Sequence, residues 1–228
     1  MSSEAPPAPA TMQGTAFASL NSKELSEIQQ IGDLSNKIAL ITGASSGLGR
    51  AMSQAFAAAG AFIVNADLTP NPPKAPMLEK TMQGSGRDYE APTVDLVNRQ
   101  FPSSDGRPRM AFVECNVTKA ESVEAAVAFT VKTYGRLDIM INNAGITAQD
   151  PKTTRNRTHE TNEKMFDIGF DVNVKGVWLG IKHATAQMLK QEPHSSGDRG
   201  WVINLCSIMG VVGLPGAAVY CATKGESE

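Results

Sequence analysis

Five short apolar runs recur along the chain, and segments with helical spacing separate them. Each run is apolar at successive positions, so both of its faces are hydrophobic. This is typical of strands in a parallel sheet that helices cover on both sides. The pattern predicts five strands, at residues 37–42, 61–67, 109–115, 137–142 and 200–206.

Helical periodicity lies between these runs, at residues 51–60, 119–134 and about 160–190. Thr118 stands three residues before Glu121, which is the spacing of a capping box, so we predict that Thr118 caps the second helix. The alternation of strands and helices predicts the α/β fold class. We expect a doubly wound parallel sheet of the Rossmann type, with right-handed crossovers.

The connection between the second and third runs is unusually long. Residues 69–108 begin with four closely spaced prolines, at positions 70, 72, 73 and 76. Proline cannot donate to a sheet ladder, so we expect a surface excursion, with a crossover helix at residues 93–100. The alternative is a tolerated insertion with no role in function.

The ends and the composition narrow the class of protein. Residues 1–35 are rich in Ala, Pro, Ser and Gln and predict a flexible N-terminal tail ahead of one domain at 36–228. No apolar stretch resembles a signal peptide or approaches the roughly 18 residues of a membrane span. The formal net charge of −2 gives no electrostatic case for nucleic acid. We therefore expect a cytoplasmic protein that binds neither nucleic acid nor membrane.

Cysteine and histidine usage favours neither a disulfide framework nor a metal site. Cys115, Cys206 and Cys221 form no Cys-x-x-Cys pair, so a reducing compartment is expected. The chain has three histidines, and none has the spacing of a zinc ligand relative to cysteines or acids. We expect them to serve in packing or at the surface.

The stretch TGASSGLG, residues 42–49, places Gly43, Gly47 and Gly49 between the first strand and the helix that follows it. Glycines there let the backbone approach a pyrophosphate closely, and the N-terminus of the helix then points at the phosphates. The position directly after the first strand strengthens this interpretation, because the dinucleotide-binding fold requires it. The alternative is a tight turn that binds no ligand.

Asp67 closes the second strand, 24 residues after Gly43. An acid at this point can accept hydrogen bonds from a ribose 2′-hydroxyl and repels a 2′-phosphate. No Lys or Arg lies in the glycine turn or directly after Asp67, and Arg50 should already lie on the helix. We therefore predict NAD(H) in preference to NADP(H). The alternative is a solvated acid at the end of a strand.

Further motifs follow in order along the chain. NNAG at 142–145 follows the fourth strand, DVNVKGVWLG at 171–180 lies in the long helical segment, and INLCS at 203–207 ends the fifth strand. A Tyr-x-x-x-Lys pair comes last, in YCATK at 220–224. Together with the glycine turn, these motifs resemble the short-chain dehydrogenase/reductase family in order and spacing, over about residues 36–225.

The resemblance implies the family's activity, which is hydride transfer between a nicotinamide cofactor and a secondary alcohol or ketone. Position by position, the family's catalytic set falls on Asn173, Ser207, Tyr220 and Lys224. The resemblance also implies cofactor contacts from Gly43, Ser45, Ser46, Gly47, Leu48, Gly49, Asp67, Asn116, Val117, Asn143, Ala144, Gly145, Tyr220 and Lys224.

Each implied catalytic residue has chemistry that suits its role. In the family, the tyrosine exchanges a proton with the substrate oxygen. A cation about 4 Å from a phenolate is worth roughly 4 kcal/mol at an effective dielectric of 20, and Lys224 is one helical turn from Tyr220. Ser207 would hold the substrate oxygen by a hydrogen bond. Asn173 resembles the family residue that positions a water between the lysine and solvent, and the alternative is a solvent-facing Asn.

The chain departs from the family pattern in two places. Asn116 stands where the family commonly has Asp, so we expect a weaker contact from its amide oxygen to the adenine amino group. Residues 226–228 no longer follow the family after Lys224. We therefore expect a C-terminally incomplete domain with five of the family's seven strands, in which residues 200–206 form an exposed edge.

Two hypotheses follow for function. The first is an oxidoreductase that acts on a small-molecule alcohol or ketone, with a homo-oligomer implied by the family for a full-length version. The second is a dinucleotide-binding protein or fragment that lacks catalytic activity. The sequence does not indicate which alcohol or ketone would be the substrate.

Overall fold

The computed structural model describes residues 32–73, 88, 90–148 and 157–225. Its centre is a sheet of five parallel strands in the order β3-β2-β1-β4-β5, and this confirms the predicted fold class. The strands are β1 (Ile38–Thr42), β2 (Phe62–Asp67), β3 (Met110–Glu114), β4 (Ile139–Asn142) and β5 (Trp201–Asn204), each inside a predicted run.

Six α-helices are assigned in the described part of the chain, and they cover both faces of the sheet. Alternate residues of β1 show the two layers: Leu40 belongs to the apolar cluster that contains Val123 and Leu179, and Ile41 belongs to the one that contains Val97. The helices are α1 (Gly47–Ala58), α2 (Thr93–Gln100), α3 (Ala120–Tyr134), α4 (Glu163–Phe170), α5 (Gly176–Met188) and α6 (Ala218–Gly225).

Burial differs sharply between the central strands and β5. Every residue of β1 and β4 is buried, as expected for strands covered on both faces. In β5, Trp201 is 40% exposed and Ile203 is 43% exposed. Within the described residues β5 pairs with β4 alone, so the prediction of an exposed edge strand is confirmed.

The predicted capping box at Thr118 is wrong. The helix begins at Ala120, and Lys119 is its N-cap, without a capping bond from a side chain. The hydroxyl of Thr118 donates instead to Asn116 Oδ1 at 2.8 Å, and the Thr118 N–H donates to the same oxygen at 3.0 Å. A local turn around the Asn116 side chain has therefore taken the groups that a cap would use.

The long helix predicted at about 160–190 is divided in three. A π-helical turn, Asp171–Lys175, separates α4 from α5 and carries the buried Asn173 at its middle. Such turns inside α-helices occur often at functional sites, where they re-aim a side chain. Periodicity alone does not show this turn, because its hydrophobic spacing differs little from that of the α-helix around it.

The predicted crossover helix at residues 93–100 is confirmed as α2. The first 31 residues and residues 74–87 lie outside the described part of the chain, so most of the predicted tail and Pro76 cannot be compared. Leu34 already belongs to the domain, because its N–H donates to Ala59 O at 2.8 Å and its side chain packs on the core. No helix in the described ranges is long and apolar enough to cross a bilayer.

Candidate active site

The carboxyl ends of β1, β2, β3 and β4 meet around one cavity of about 390 Å³. This is the place where ligands bind in doubly wound α/β proteins, since the loops after parallel strands meet at one edge of the sheet. Most of the predicted cofactor contacts line it. The lining residues are Gly43, Ser46, Gly47, Leu48, Ala66, Asp67, Leu68, Cys115, Asn116, Val117, Asn143, Ala144, Gly145, Ile146 and Val172.

The glycine turn forms one wall of the cavity, and at each of its three glycines the structure shows a different reason for the absence of a side chain. Gly43 has a φ of +68°, and a Cβ there would lie 3.0 Å from Ala144 Cα. A Cβ on Gly49 would lie 2.7 Å from Asn143 Nδ2. Gly47 has a φ of +54° and no atom within 4 Å of its missing Cβ, so open space lies beside the first residue of α1. A pyrophosphate fits this geometry, because it can approach the backbone at the N-terminus of a helix.

Thr42 joins the glycine turn to the NNAG motif and was not predicted from the sequence. Its hydroxyl donates to Ile141 O at 3.3 Å and accepts from the N–H groups of Asn143 and Ala144, each at 3.0 Å. The Asn143 amide returns the contact by donating to Thr42 O at 2.8 Å and to Gly43 O at 3.1 Å. These bonds hold the ends of β1 and β4 together. The glycine turn and the NNAG motif, which are distant in the sequence, therefore form one continuous surface, which we call the floor of the cavity.

Asp67 lies at the end of β2 and is half-buried at the edge of the cavity. Its Oδ2 accepts from Ser45 N at 3.0 Å, and its Oδ1 accepts from Leu68 N at 2.8 Å. A carboxylate has about four lone-pair sites, so two sites stay available for a ligand in the cavity that Asp67 lines. This arrangement suits a pair of ribose hydroxyl groups.

Ser45 and Gly49 are predicted cofactor contacts that do not line the cavity. Ser45 is 3% exposed, and its hydroxyl donates to Thr69 O at 2.5 Å and accepts from Asn65 Nδ2 at 3.0 Å. The side chain therefore points into the protein and supports the turn from behind. Sequence reasoning missed this role because the two serines in TGASSGLG are indistinguishable by type.

Asn116 lines the cavity, but its amide oxygen is engaged. Oδ1 accepts both the N–H and the hydroxyl of Thr118, so its two lone pairs are used inside the protein. This geometry does not support the predicted contact from that oxygen to an adenine amino group. Cys115 beside it is buried, and burial raises the pKa of its thiol, an effect that a hydrogen bond with Ser122 partly offsets.

Tyr220 and Lys224 lie one turn apart on α6, as predicted. Lys224 is 4% exposed, and its Nζ donates to Leu205 O at 2.7 Å. The same Nζ lies 5.9 Å from the centroid of the Tyr220 ring. Burial lowers the pKa of Lys224, and the thiol of Cys206 partly offsets this effect. The cation is thus held close to a half-buried phenol in a poorly solvated place.

Gly145 connects this pair to the cavity. A Cβ on Gly145 would lie 3.3 Å from Asn173 Oδ1 and 3.7 Å from Lys224 Nζ. Asn173 is fully buried; its Oδ1 accepts from Ile146 N at 2.9 Å, and its Nδ2 donates to Ile146 O at 2.8 Å and to Thr223 Oγ1 at 2.9 Å. The alternative of a solvent-facing Asn is therefore wrong. The structure brings Asn173, Lys224 and Gly145 together.

Ser207 follows β5 and precedes a short 3₁₀ turn, Ile208–Gly210, whose first residues it caps. Its Oγ accepts from Met209 N at 3.2 Å. The loop that carries Ser207 packs on the end of α6, since Cys206 Sγ donates to Lys224 O at 3.3 Å. Ser207 and the Tyr220–Lys224 pair therefore belong to neighbouring, directly contacting segments.

A second cluster of charged residues lies at the amino ends of the strands, away from the cavity. The fully buried Asp138 accepts from Ile38 N at 2.9 Å, from Arg136 Nε at 2.6 Å and from His194 Nε2 at 2.9 Å. Lys37 Nζ lies 3.2 Å from His194 Nδ1, and Arg136 Nη2 lies 3.1 Å from His194 Nε2. We assign the ring proton to Nε2, because the carboxylate beside it is an acceptor and the ammonium beside Nδ1 is a donor. Within the described residues, no group of three or more His, Cys, Asp or Glu side chains could hold a metal ion.

The fold defines a Rossmann-type α/β protein, and the cavity lies where proteins of this fold bind dinucleotides. The sequence profile described as "short chain dehydrogenase" matches residues 37–104 and 88–226. The chain therefore belongs to the short-chain dehydrogenase/reductase family. Members of this family bind nicotinamide cofactors.

Three known proteins show how close the similarity is. The 3-oxoacyl-(acyl-carrier-protein) reductase FabG of Staphylococcus aureus is 34% identical over 188 residues, which are 82% of this chain and 63% of that protein. The (+)-borneol dehydrogenase 2 of Salvia officinalis is 32% identical over 92% of this chain and 61% of its own length. The crystal structure of levodione reductase aligns with a TM-score of 0.65 and 27% identity, over 85% of this chain and 62% of that one. The chain thus spans about three fifths of these relatives.

Proposed function

We propose that this protein is an oxidoreductase that transfers a hydride between a nicotinamide dinucleotide and a secondary alcohol or ketone. The observation that carries the proposal is the position of the Tyr220–Lys224 pair: Lys224 Nζ is 3.7 Å from where a Cβ of Gly145 would be, and Gly145 lines the dinucleotide cavity. This position supports a proton-transfer pair next to the cavity that would hold the cofactor. The names of the relatives, two reductases and a dehydrogenase, support the same reaction class.

We further propose NAD(H) as the preferred cofactor. The carboxylate of Asp67 faces the cavity and would repel a 2′-phosphate while accepting from ribose hydroxyls. Arg50, the cation nearest in sequence to the glycine turn, is 1% exposed and donates to Asp88 O and Ala91 O. It is therefore directed away from the cavity and does not offer a phosphate-binding charge there.

In the proposed reaction the bound nicotinamide supplies or takes up the hydride, and the chain handles the proton. Tyr220 would take the hydroxyl proton of an alcohol, or give a proton to the oxygen of a ketone. Lys224 would stabilise the phenolate form by its charge, and this effect is strong because the lysine is buried. Ser207 Oγ accepts from Met209 N, which leaves its hydroxyl hydrogen to donate to the substrate oxygen.

Asn173 would hold these groups at the correct separation. Its amide binds the backbone of Ile146, next to the cavity wall, and the hydroxyl of Thr223, next to Lys224 on α6. The Asn173 side chain thereby connects the cavity wall at Ile146 to α6, the helix that bears Tyr220. The π-helical turn places Asn173 deep enough to reach both partners.

The test is the Tyr220→Phe variant, assayed with NAD and a panel of secondary alcohols, and with NADH and the matching ketones. We expect turnover to fall by roughly 100- to 10,000-fold, because this is the contribution of a positioned acid or base. Tyr134→Phe is the matched control, because the Tyr134 hydroxyl donates to Pro108 O at 2.9 Å, remote from the cavity. Unchanged turnover in Tyr220→Phe would refute the assignment. Nucleotide binding without any turnover in the parent protein would favour the second hypothesis, a binder without catalysis.

A further inference from the structure

Arg50 is a buried cation that the proposed reaction does not use. It follows the glycine turn on α1 and is 1% exposed. Its Nη1 donates to Ala91 O at 2.6 Å and to Thr93 Oγ1 at 3.2 Å, and its Nη2 donates to Asp88 O at 2.7 Å. Its Nε has no hydrogen-bond partner among the residues that the structure describes. Burial of a cation is unfavourable unless its surroundings compensate, so the position calls for a specific reason.

The partners of Arg50 are Asp88, Ala91 and Thr93, which lie in the long excursion just before α2 and at its first residue. We call Asp88 and residues 90–93 the Arg50-binding segment. The Asp88 carboxylate folds this segment on itself, since Oδ1 accepts from Glu90 N at 3.1 Å and Ala91 N at 3.0 Å. On its outer side Asp88 pairs with Arg99 at 3.1 Å. The Arg50 guanidinium therefore donates to two backbone carbonyl groups, of Asp88 and Ala91, in a turn that the Asp88 carboxylate stabilises.

Thr93 connects Arg50 to Ser45, on the side of the glycine turn that faces away from the cavity. Its hydroxyl is fully buried, accepts from Arg50 Nη1 and donates to Ser45 O at 3.1 Å. The N–H of Ser45 in turn donates to Asp67 Oδ2 at 3.0 Å. An unbroken path thus runs from Arg50 through Thr93 and Ser45 to the carboxylate that faces the cavity.

Thr69, the first residue of the excursion, binds the same serine. Ser45 Oγ donates to Thr69 O at 2.5 Å, two residues after Asp67. Ser45 is therefore constrained by Thr69, at the start of the excursion, and by Thr93, the first residue of α2. A shift of the Arg50-binding segment would move the Ser45 carbonyl and, through the Ser45 backbone, the N–H that donates to Asp67.

We propose that Arg50 is a positioning residue for the nucleotide site, and that with Thr93 it orients Asp67 so that the cavity discriminates between a free ribose 2′-hydroxyl and a 2′-phosphate. The inference rests on the proposed function, because it assumes that the cavity binds a nicotinamide dinucleotide. It gives the long excursion a role: the Arg50-binding segment supports the cofactor site from behind and does not touch the cofactor itself.

Binding, measured without catalysis, tests this proposal. The dissociation constants of ADP-ribose and of 2′-phospho-ADP-ribose are determined by calorimetry for the whole 228-residue chain and its variants. The decisive quantity is the ratio of the two constants, because a general loss of folding lowers both affinities and leaves their ratio unchanged. Parent protein is expected to prefer ADP-ribose.

Four variants separate the effect of the Thr93 hydroxyl from the effects of side-chain size at residue 93 and of the charges on Arg50 and Arg99. Thr93→Val removes the hydroxyl at nearly the same shape, whereas Thr93→Ser keeps it. Arg50→Met removes the buried cation, and Arg99→Met removes the exposed cation that shares Asp88 but does not reach Thr93. We expect Thr93→Val and Arg50→Met to narrow the preference for ADP-ribose about tenfold, a difference of about 1.4 kcal/mol. Thr93→Ser and Arg99→Met should keep it.

A folded Thr93→Val protein with the parent preference would overturn the inference, and so would an equal loss of preference in Thr93→Ser. If Arg50→Met does not fold, the two Thr93 variants still decide. Failure of the parent protein to bind either ligand would overturn the proposed function, and the inference with it.

Discussion

Two aspartates at opposite ends of the sheet show what separates a structural carboxylate from a binding one. Asp138 lies at the amino end of β4 and is fully buried. Three donors from the protein satisfy it: Ile38 N, Arg136 Nε and His194 Nε2. Each of these donors comes from a different segment, so the carboxylate ties β1, β4 and the loop before β5 together.

Asp67 lies at the carboxyl end of β2 and has only backbone donors, from Ser45 and Leu68. It has no cation within salt-bridge distance in the described part of the chain, and it borders a cavity. The comparison teaches that burial and charge alone do not mark a site. A carboxylate whose acceptor sites are filled by the protein stabilises the fold, and one whose remaining sites face open space can bind a ligand.

The largest expected effect is on stability, in Asp138→Ala. This variant leaves Arg136 without its partner and the N–H of Ile38 buried and unpaired. Breaking a buried ion pair from one side costs about 3–5 kcal/mol, so the free energy of unfolding should fall by about that amount. Urea denaturation at neutral pH measures it. A loss below about 1 kcal/mol would show that Asp138 does not anchor the fold.

The reverse pattern is expected for Asp67→Ala. Hydrogen bonds to a charged group are worth about 1.5–3 kcal/mol, so the affinity for ADP-ribose should fall roughly tenfold to a hundredfold. The free energy of unfolding should fall by only about 1 kcal/mol, because two backbone N–H groups lose a partner next to solvent. Calorimetric titration and urea denaturation on the same preparation check both numbers. An affinity equal to that of the parent protein would contradict the proposed ribose contact.

A smaller stability effect is expected for His194→Phe. Phenylalanine can keep the stacking of this ring on Trp201, whose centroid lies 5.6 Å away, but it removes the hydrogen bond to Asp138. We expect a loss of about 1–2 kcal/mol in the free energy of unfolding. In the Asp138→Ala background the same substitution should cost clearly less, because the two residues share one contact. Strict additivity would refute the coupling.

The smallest expected effect is a pH dependence at Lys224, a buried cation without a facing carboxylate in the described residues. Its pKa in the folded state lies below its ordinary value of 10.5 because of burial. Between the lowered pKa and 10.5 the unfolded chain holds more protons, so stability rises with pH there. The penalty of the buried charge is complete below the lowered pKa and disappears above 10.5. The free energy of unfolding of the parent protein minus that of Lys224→Met should therefore rise as the pH approaches 10.5, and a flat difference would contradict this.

The sequence was sufficient to predict the sheet and the parts of the site that depend on local pattern. The five strands follow from periodicity over a few residues, and the helix at residues 93–100 was expected as the crossover after the prolines. The one-turn spacing of Tyr220 and Lys224 followed from the Tyr-x-x-x-Lys motif and the resemblance to the family. The position of Asp67 at the end of the second predicted strand also indicated that it would lie at the edge of the cavity. These features need no knowledge of distant contacts.

Features that depend on long-range contacts were not predicted. The π-helical turn at Asn173 meets partners in Ile146 and Thr223, 27 and 50 positions away. The inward direction of Ser45 depends on Asn65 and Thr69. In both cases a polar side chain had several possible partners, and tertiary structure selected one of them. The cap expected at Thr118 failed for a local reason, because the Thr118 hydroxyl binds Asn116, two residues away.

The hydroxyl of Thr42 has a consequence for the order of folding. It connects the glycine turn to Asn143 and Ala144, which lie 101 and 102 positions further along the chain. Closing so long a loop is entropically unfavourable, and parallel pairing of β1 with β4 adds further non-local contacts, so these bonds should form late. The floor of the cavity then exists only after β4 has docked. Nucleotide binding during refolding would therefore lag behind helix formation, and the ligand would act as a reporter of the last steps of assembly.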